Sequence, residues 1–482
     1  MTLPTEQSAH VIPGATSGLK AQCLSYIEVL AQSVSVIAPS TVPAAVLGLI
    51  YASSGNGTWL SFLIGMIGLV LVSVNINLFA RRSASAGSLY SYIVQGLGPT
   101  AGVLGGWALL FGYLFTGMST LCGFVATSKG LFGSVGLAPP SWLIFLVTTA
   151  LAGAVACRDV KMSAKSMLAF EGAAVAAVLA LGIVIWRAHG FALDSDQLTL
   201  QGASPGGVMA GVALVVFAFS GFESSTALGE EARDPLRAIP RSVVQSVIIS
   251  GAIFIFMAYV VILGFRGLPD DLAKSEAPLL LLSNVLGVGW LGVFITIGIL
   301  LSFFSCTLAS INATARIVFA MARNGVAPRW LGAVHKTNRT PWLAIGFVTL
   351  ATFVVAFAPT QFGVGEFEAQ GYFGTLCAFG FLSTYVLVSL AAPAYLRKQG
   401  KLTRRAIVLG ELAAGFMIIP FLGAVGLPGS ELFPPPAFPN NILVWVFVAY
   451  MTVGAVWLFR LRRLKAAPLD QIFEENSVSQ GK

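Results

Sequence analysis

Two carboxylates, Glu171 and Glu223, stand deep inside otherwise apolar runs of this 482-residue chain. An ionisable group at bilayer depth is costly and marks proton relays, ion paths or ligand sites. Glu223 lies in VALVVFAFSGFESSTALGEEARDPLRAIPRS, where Ser220, Gly221, Ser224 and Ser225 also interrupt the apolar pattern. Glycine permits an irregular backbone there. Glu171 follows Lys161 by ten residues, about 15 Å of helix at about 1.5 Å per residue. A carboxyl at that depth suits a proton carrier, against the plainer reading of a hydrogen-bonded packing residue. A second interruption falls in IEVLAQSVSVIAPSTVPAAVLGLIY. Pro39 and Pro43 each remove a backbone donor, which predicts two half-helices joined by an unwound stretch over Ile37, Ala38, Pro39, Ser40 and Thr41 up to Pro43. Ser302 and Ser305 could join carbonyls of that stretch around a sodium ion, although serines in membrane helices more often bond their own backbone.

These residues fit ligand and ion handling rather than catalysis. The three histidines (His10, His189, His335) fall in tails or loops, and no aspartate stands inside an apolar span. A nucleophile–base pair or a set of metal ligands at membrane depth has no material. The five cysteines (Cys23, Cys122, Cys157, Cys306, Cys377) are scattered without a CxxC pair and read as small apolar packing residues. No cofactor and no metal are expected.

The elements that must position these groups follow from composition. Hydrophobic residues make up 56% of the chain, charged residues 10%, and mean hydropathy is +0.84. Soluble domains carry roughly 25% charged residues, so the expected class is an all-α integral membrane protein in contact with lipid. A transmembrane helix needs about 20 mostly apolar residues. Twelve spans are predicted, at about 24–51, 58–80, 99–127, 140–157, 163–187, 206–229, 242–264, 287–313, 341–358, 371–395, 404–427 and 440–460. Short joints such as Pro139–Pro140 and the Pro-rich Glu431–Pro439 loop separate them. With the N-terminus inside, only Lys129, Arg187, Arg266 and Lys274 of the 28 lysines and arginines fall outside. That asymmetry obeys the positive-inside rule and predicts both termini cytoplasmic, in the plasma (inner) membrane of a cell. It also accounts for the net charge of +8 without a nucleic-acid partner. The first 20 residues are polar, without a basic start and a short apolar core, so no cleaved signal peptide is expected.

The two interrupted spans are the first and the sixth. They hold corresponding positions in two five-span halves, 24–187 and 206–395, followed by two peripheral helices over 404–460 and flanked by tails at 1–23 and 461–482. Paired interruptions are the sequence pointer to an inverted-repeat transporter with a midplane site. Free amides at the start of one half-helix can hold a carboxylate, and freed carbonyls at the end of another can hold an ammonium group.

The run F-x-F-x-G-F-E at Phe217–Glu223, followed by Glu230-Glu231 and D-P-x-R-x-I-P-R at Asp234–Arg241, resembles the amino acid–polyamine–organocation permeases. So do Gly87-Ser88-Leu89-Tyr90-Ser91-Tyr92, Val160–Lys165 and Ala320–Asn324 with Pro328. The resemblance implies a LeuT-type fold of ten core helices plus two peripheral ones, and import or exchange of amino acids or related amines by alternating access. It implies that the Phe217 and Ser220 carbonyls face the substrate ammonium and that Ala38 to Thr41 face its carboxylate. Phe217 and Phe222 would cover the substrate, with Phe219 and Gly221 in the same segment and Glu223 near the gate. The family's Gly-x-Gly-Ile-Phe-like break is replaced here by Ala38-Pro39-Ser40-Thr41-Val42-Pro43. The lysine that some proton-linked members carry thirteen residues past the Val-Lys pair is replaced by Ala174. Tyr113 and Thr116 are candidates to line the cavity. Glu28 and Glu411, near span ends, are expected to pair with neighbouring Lys or Arg, and the Glu230–Arg241 run to be structural or gating. The expected function is a secondary transporter of amino acids, coupled to protons or sodium or working by exchange. The alternative is a carrier of amines such as polyamines or ethanolamine.

Overall fold

The computed structural model describes residues 18–464 except 276, 431, 432 and 434. Most of the expected tails at 1–23 and 461–482 and part of the Glu431–Pro439 loop lie outside the described residues. Among the described residues eleven helical stretches are long and apolar enough to cross a membrane, and Pro205–Ala218 adds a shorter apolar helix. Among the described residues the one strand-like feature is an isolated parallel bridge between Leu24 and Ala232.

The first span comprises Tyr26–Ile37, the short helix Thr41–Ala45 and Leu47–Ser54. Gly55, at φ 51° and ψ −130°, then turns the chain into the second span, Thr58–Ala80. The third to fifth spans are Pro99–Ser134, Ser141–Arg158 and Val160–Ala188. The sixth is Pro205–Ala218 followed, after an irregular stretch, by the 3-10 turn Ser224–Leu228. The remaining six are Pro235–Gly264, Gly289–Arg323, Trp342–Phe357, Glu366–Lys398, Arg404–Val425 and Asn440–Leu464. Prolines at the first turn of the third, sixth and seventh spans supply a φ already suited to a helix and lack an N–H the helix could not use.

The third and tenth spans form the most extensive helix pair. Their backbones meet where Gly112 faces Gly380. A Cβ at Gly380 would stand 2.5 Å from the Ala108 carbonyl oxygen. Small residues allow such approach in the absence of a water-driven hydrophobic force. The eleventh and twelfth spans are mostly outward-facing, with Leu412, Trp445 and Val453 exposed as a lipid-facing surface requires. Three short helices were not separated in the sequence: Ser88–Leu97, Ser195–Leu198 and Pro278–Val285. The first is amphipathic and tucks under the bundle at the end carrying the basic joints, with Tyr92 stacked on Phe79 at 5.2 Å.

Candidate functional site

The first span stops because Pro39 has no N–H and Ala38 takes a left-handed conformation, φ 52°. The sixth stops because Gly221 takes φ 87°, which favours glycine. The two interruptions touch: a Cβ on Gly221 would lie 2.1 Å from Cγ1 of Val36.

A cavity of about 750 Å³ ends at these interruptions. Its floor includes Ile37, Ala38 and Thr41 of the first span, Phe217 and Ser220 of the sixth, and Thr116 of the third. It runs past Leu49, Ala210 and Thr375 to Glu368, Pro436 and Asn440, at the end of the bundle away from the basic joints. The carbonyls of Ala218, Phe219 and Ser220 accept no backbone hydrogen bond among the described residues, and Ala218 and Ser220 are in the cavity wall.

The other candidates stand behind the wall. Phe219 packs edge-on against Phe254 at 4.9 Å, and Phe222 lies 5.2 Å from Tyr385. Phe222 therefore does not cover the cavity in this conformation, because the turn at Gly221 points its ring toward the tenth span. Gly221 donates its N–H to the Tyr385 hydroxyl at 2.9 Å. Glu223 is fully buried and accepts from Tyr113 at 2.7 Å and Tyr385 at 2.6 Å. It thus joins the sixth span to the third and tenth, on the side of the interruption away from the cavity. Tyr113, also a cavity-lining candidate, serves this cluster instead.

Pro39 and Ser40 also face away from the cavity. Glu171 reaches across from the fifth span and accepts from the Ser40 amide at 3.3 Å, the Ser40 hydroxyl at 3.1 Å and the Ser302 hydroxyl at 2.6 Å. Ser305 donates to Ser35 at 3.0 Å, and the Cys306 thiol takes the Val36 carbonyl at 3.1 Å. Ser302 and Ser305 are therefore drawn to different partners rather than to one point.

Toward the basic end the cavity gives way to packed polar ties. Arg316 and Glu231, both buried, form a bidentate pair at 2.7 and 2.8 Å, and Arg316 also holds the Asn312 carbonyl at 3.0 Å. The Glu231 carbonyl in turn accepts from the Cys23 and Leu24 amides at 2.8 and 2.9 Å, just before the first span. Gln32 links the first span to Ser224 at 2.7 Å and to the Ala309 carbonyl at 2.8 Å. The sequence located Glu231 and Arg316 at one end of the bundle, but no spacing rule joins residues 85 positions apart. Tyr385 and Glu368 were missed for a similar reason: a tyrosine or an acid near a span end carries no signal until a neighbour is known. Glu28 corrects another expectation. It folds back on the Ser25 amide and hydroxyl at 2.8 and 2.9 Å, an N-terminal capping box rather than an ion pair. Glu411 is exposed and has no ion pair among the described residues.

The amino acid permease family model matches residues 29–427. Similar curated proteins include the low-affinity putrescine importer PlaP of Escherichia coli (strain K12), 26% identical over 79% of this chain and 83% of that protein. An uncharacterized transporter of Mycobacterium tuberculosis (strain ATCC 25618 / H37Rv) is 28% identical over 78% of each chain. The branched-chain amino acid permease BcaP of Lactococcus lactis subsp. cremoris is 26% identical over 78% of this chain and 81% of its own. A multi-span helical bundle with two facing helix interruptions at the floor of one cavity, matched over most of its length by this model, belongs to the amino acid permease family of membrane transporters.

Proposed function

We propose that the chain carries a small solute bearing a protonated amine by alternating access, with its site at the two helix interruptions. The observation that carries this reading is the pair of freed carbonyls of Ala218 and Ser220, two residues that line a cavity open toward one end. Carbonyl dipoles left without donors attract an ammonium group. Ile37, Ala38, Thr41, Phe217 and Ser220 are the proposed contacts. Phe219, Gly221 and Phe222 act one layer back by holding the turn, and Pro39 and Ser40 by shaping the first interruption.

The basic end is assigned to the cytoplasm on the charge asymmetry, with both termini there and the cavity facing outward. This supports import across the plasma (inner) membrane of a cell. The halves 24–187 and 206–395, with 404–460 peripheral, are the proposed moving units. Opening toward the cytoplasm requires parting the Glu231–Arg316 pair and the Tyr113–Glu223–Tyr385 cluster, so Glu223 is the proposed gate. The proton is the proposed coupling ion. The serines that could ring a sodium ion are spent on Glu171 and Ser35, and two membrane-embedded carboxylates remain to carry charge.

Proteoliposome uptake of labelled amino acids and amines, under a proton gradient and separately under a sodium gradient, tests this. Uptake driven by the proton gradient is expected. No uptake of either class under either gradient would overturn the reading. Glu223→Gln is expected to flatten the pH dependence of uptake by at least several-fold while the protein still inserts. An unaltered profile would reduce Glu223 to a packing residue.

A further inference from the structure

We infer that Glu171 is a specificity-determining residue: a buried carboxyl that occupies the free donors of the first-span interruption and leaves the transporter suited to amines and poorly suited to their α-carboxylated parents. The inference rests on the transport reading above and narrows its substrate class.

A transporter that binds the carboxylate of an amino acid at a helix interruption needs backbone N–H groups turned toward the ligand. Donors are scarce in this segment. Pro39 and Pro43 have no N–H at all. The Ser40 amide and the Ser40 hydroxyl both go to Glu171. The Thr41 amide and hydroxyl both go to the Ala38 carbonyl, at 3.0 and 2.8 Å. From residue 39 to residue 43, only the Val42 amide is left with neither a proline ring nor one of these partners.

Glu171 is held as an acceptor from three sides, counting the Ser302 hydroxyl at 2.6 Å. A buried carboxylate with this many donors is well seated, and a second carboxylate from a ligand could reach Ser40 only by displacing it.

The rest of the cavity agrees. Among the described lining residues there is no lysine, arginine or histidine, and the one carboxylate is Glu368 at the outer end, paired with the Tyr372 hydroxyl. An α-carboxylate would enter past an acid and find neither a cation nor a free amide cradle. An ammonium group would pass the same acid and reach the freed carbonyls of Ala218 and Ser220. Phe217, Phe303, Leu214 and Val46 provide an apolar wall for its carbon body.

The test compares amino acids with their own decarboxylation products, so that the carbon body is constant. Three labelled pairs are offered to proteoliposomes of the full chain: ornithine and putrescine, leucine and 3-methylbutylamine, phenylalanine and 2-phenylethylamine. At least one amine should be taken up tenfold or more faster than its parent. In Glu171→Ala the Ser40 amide and hydroxyl are released, and that ratio should fall at least tenfold. Glu171→Gln leaves an oxygen for Ser40 to donate to, and its ratio should stay nearer the wild type. Because the readout is a ratio within one variant, general damage lowers both members and leaves it unchanged. Equal uptake of amine and parent by the wild type would overturn the inference even if no variant can be purified. An unchanged ratio in a folded Glu171→Ala protein would also overturn it. Uptake of neither member of any pair, together with none in the broader screen, would overturn the transport reading and this inference with it.

Discussion

The first and sixth spans are interrupted where they touch, by opposite chemistry. The first uses proline, which removes donors, and of the remaining amides those of Ser40 and Thr41 are consumed by Glu171 and Ala38. The sixth uses glycine, which keeps its amide, here donated to Tyr385, but bends the chain so that three carbonyls lose their helical partners. One interruption therefore presents little positive character to the cavity, while the other leaves two lining residues, Ala218 and Ser220, with carbonyls that accept no backbone hydrogen bond. Two helix interruptions placed symmetrically need not make a symmetric site. Which backbone groups are left over depends on the residue that made each one.

The largest expected effect comes from the ion pair that ties the end of the sixth span to the eighth span at the basic end. Arg316→Ala leaves Glu231 buried and unpaired, and removing one partner of such a pair costs about 3–5 kcal/mol. Thermal unfolding in detergent should show that loss. A change within error would mean that the pair does not join the sixth and eighth spans energetically. Next is Gly221→Ala. A left-handed φ for alanine costs about 1–3 kcal/mol, and the new Cβ would stand 2.1 Å from Val36. Transport should fall by more than tenfold, with a smaller loss of stability than in Arg316→Ala. Equal transport would mean that the sixth-span turn needs no glycine. The smallest effect lies far from both interruptions, at Asp194 in the loop that leads into the sixth span. Burial pushes this carboxyl up, but hydrogen bonds from Gln197 and Arg266 outweigh it and hold it below the usual carboxylate range. Its contribution is present above the unfolded value of about 3.9 and is lost as pH falls through the lower folded value. Asp194→Asn should therefore cost stability at neutral pH, by no more than about 1 kcal/mol for a pair with a partly exposed arginine, and nothing in strong acid. A stability gap that persists at pH 2 would mean that charge is not the reason.

Several features were legible in the chain alone. The twelve apolar stretches, the interruptions at Pro39 and Gly221 and the charge asymmetry all follow from local rules: a bilayer admits only apolar helix surface, and proline and glycine act within their own turn. Glu171 and Glu223 stood out because few other ionisable groups share their surroundings. Their partners could not be read. Ser40 and Glu171 are 131 positions apart and Tyr385 and Glu223 are 162 apart, and nothing local specifies which faces of two distant helices meet. Glu28 is a different case: its cap is three residues away, and the Ser25-x-x-Glu28 spacing is itself a local capping-box pattern.

By itself, then, the sequence determined where the chain crosses the membrane and where its helices must break, because both depend on residues close in the chain and on the solvent around them. Only the tertiary structure decided what the breaks can bind. Whether a freed amide or carbonyl faces a ligand or a neighbouring side chain depends on which helix packs against it.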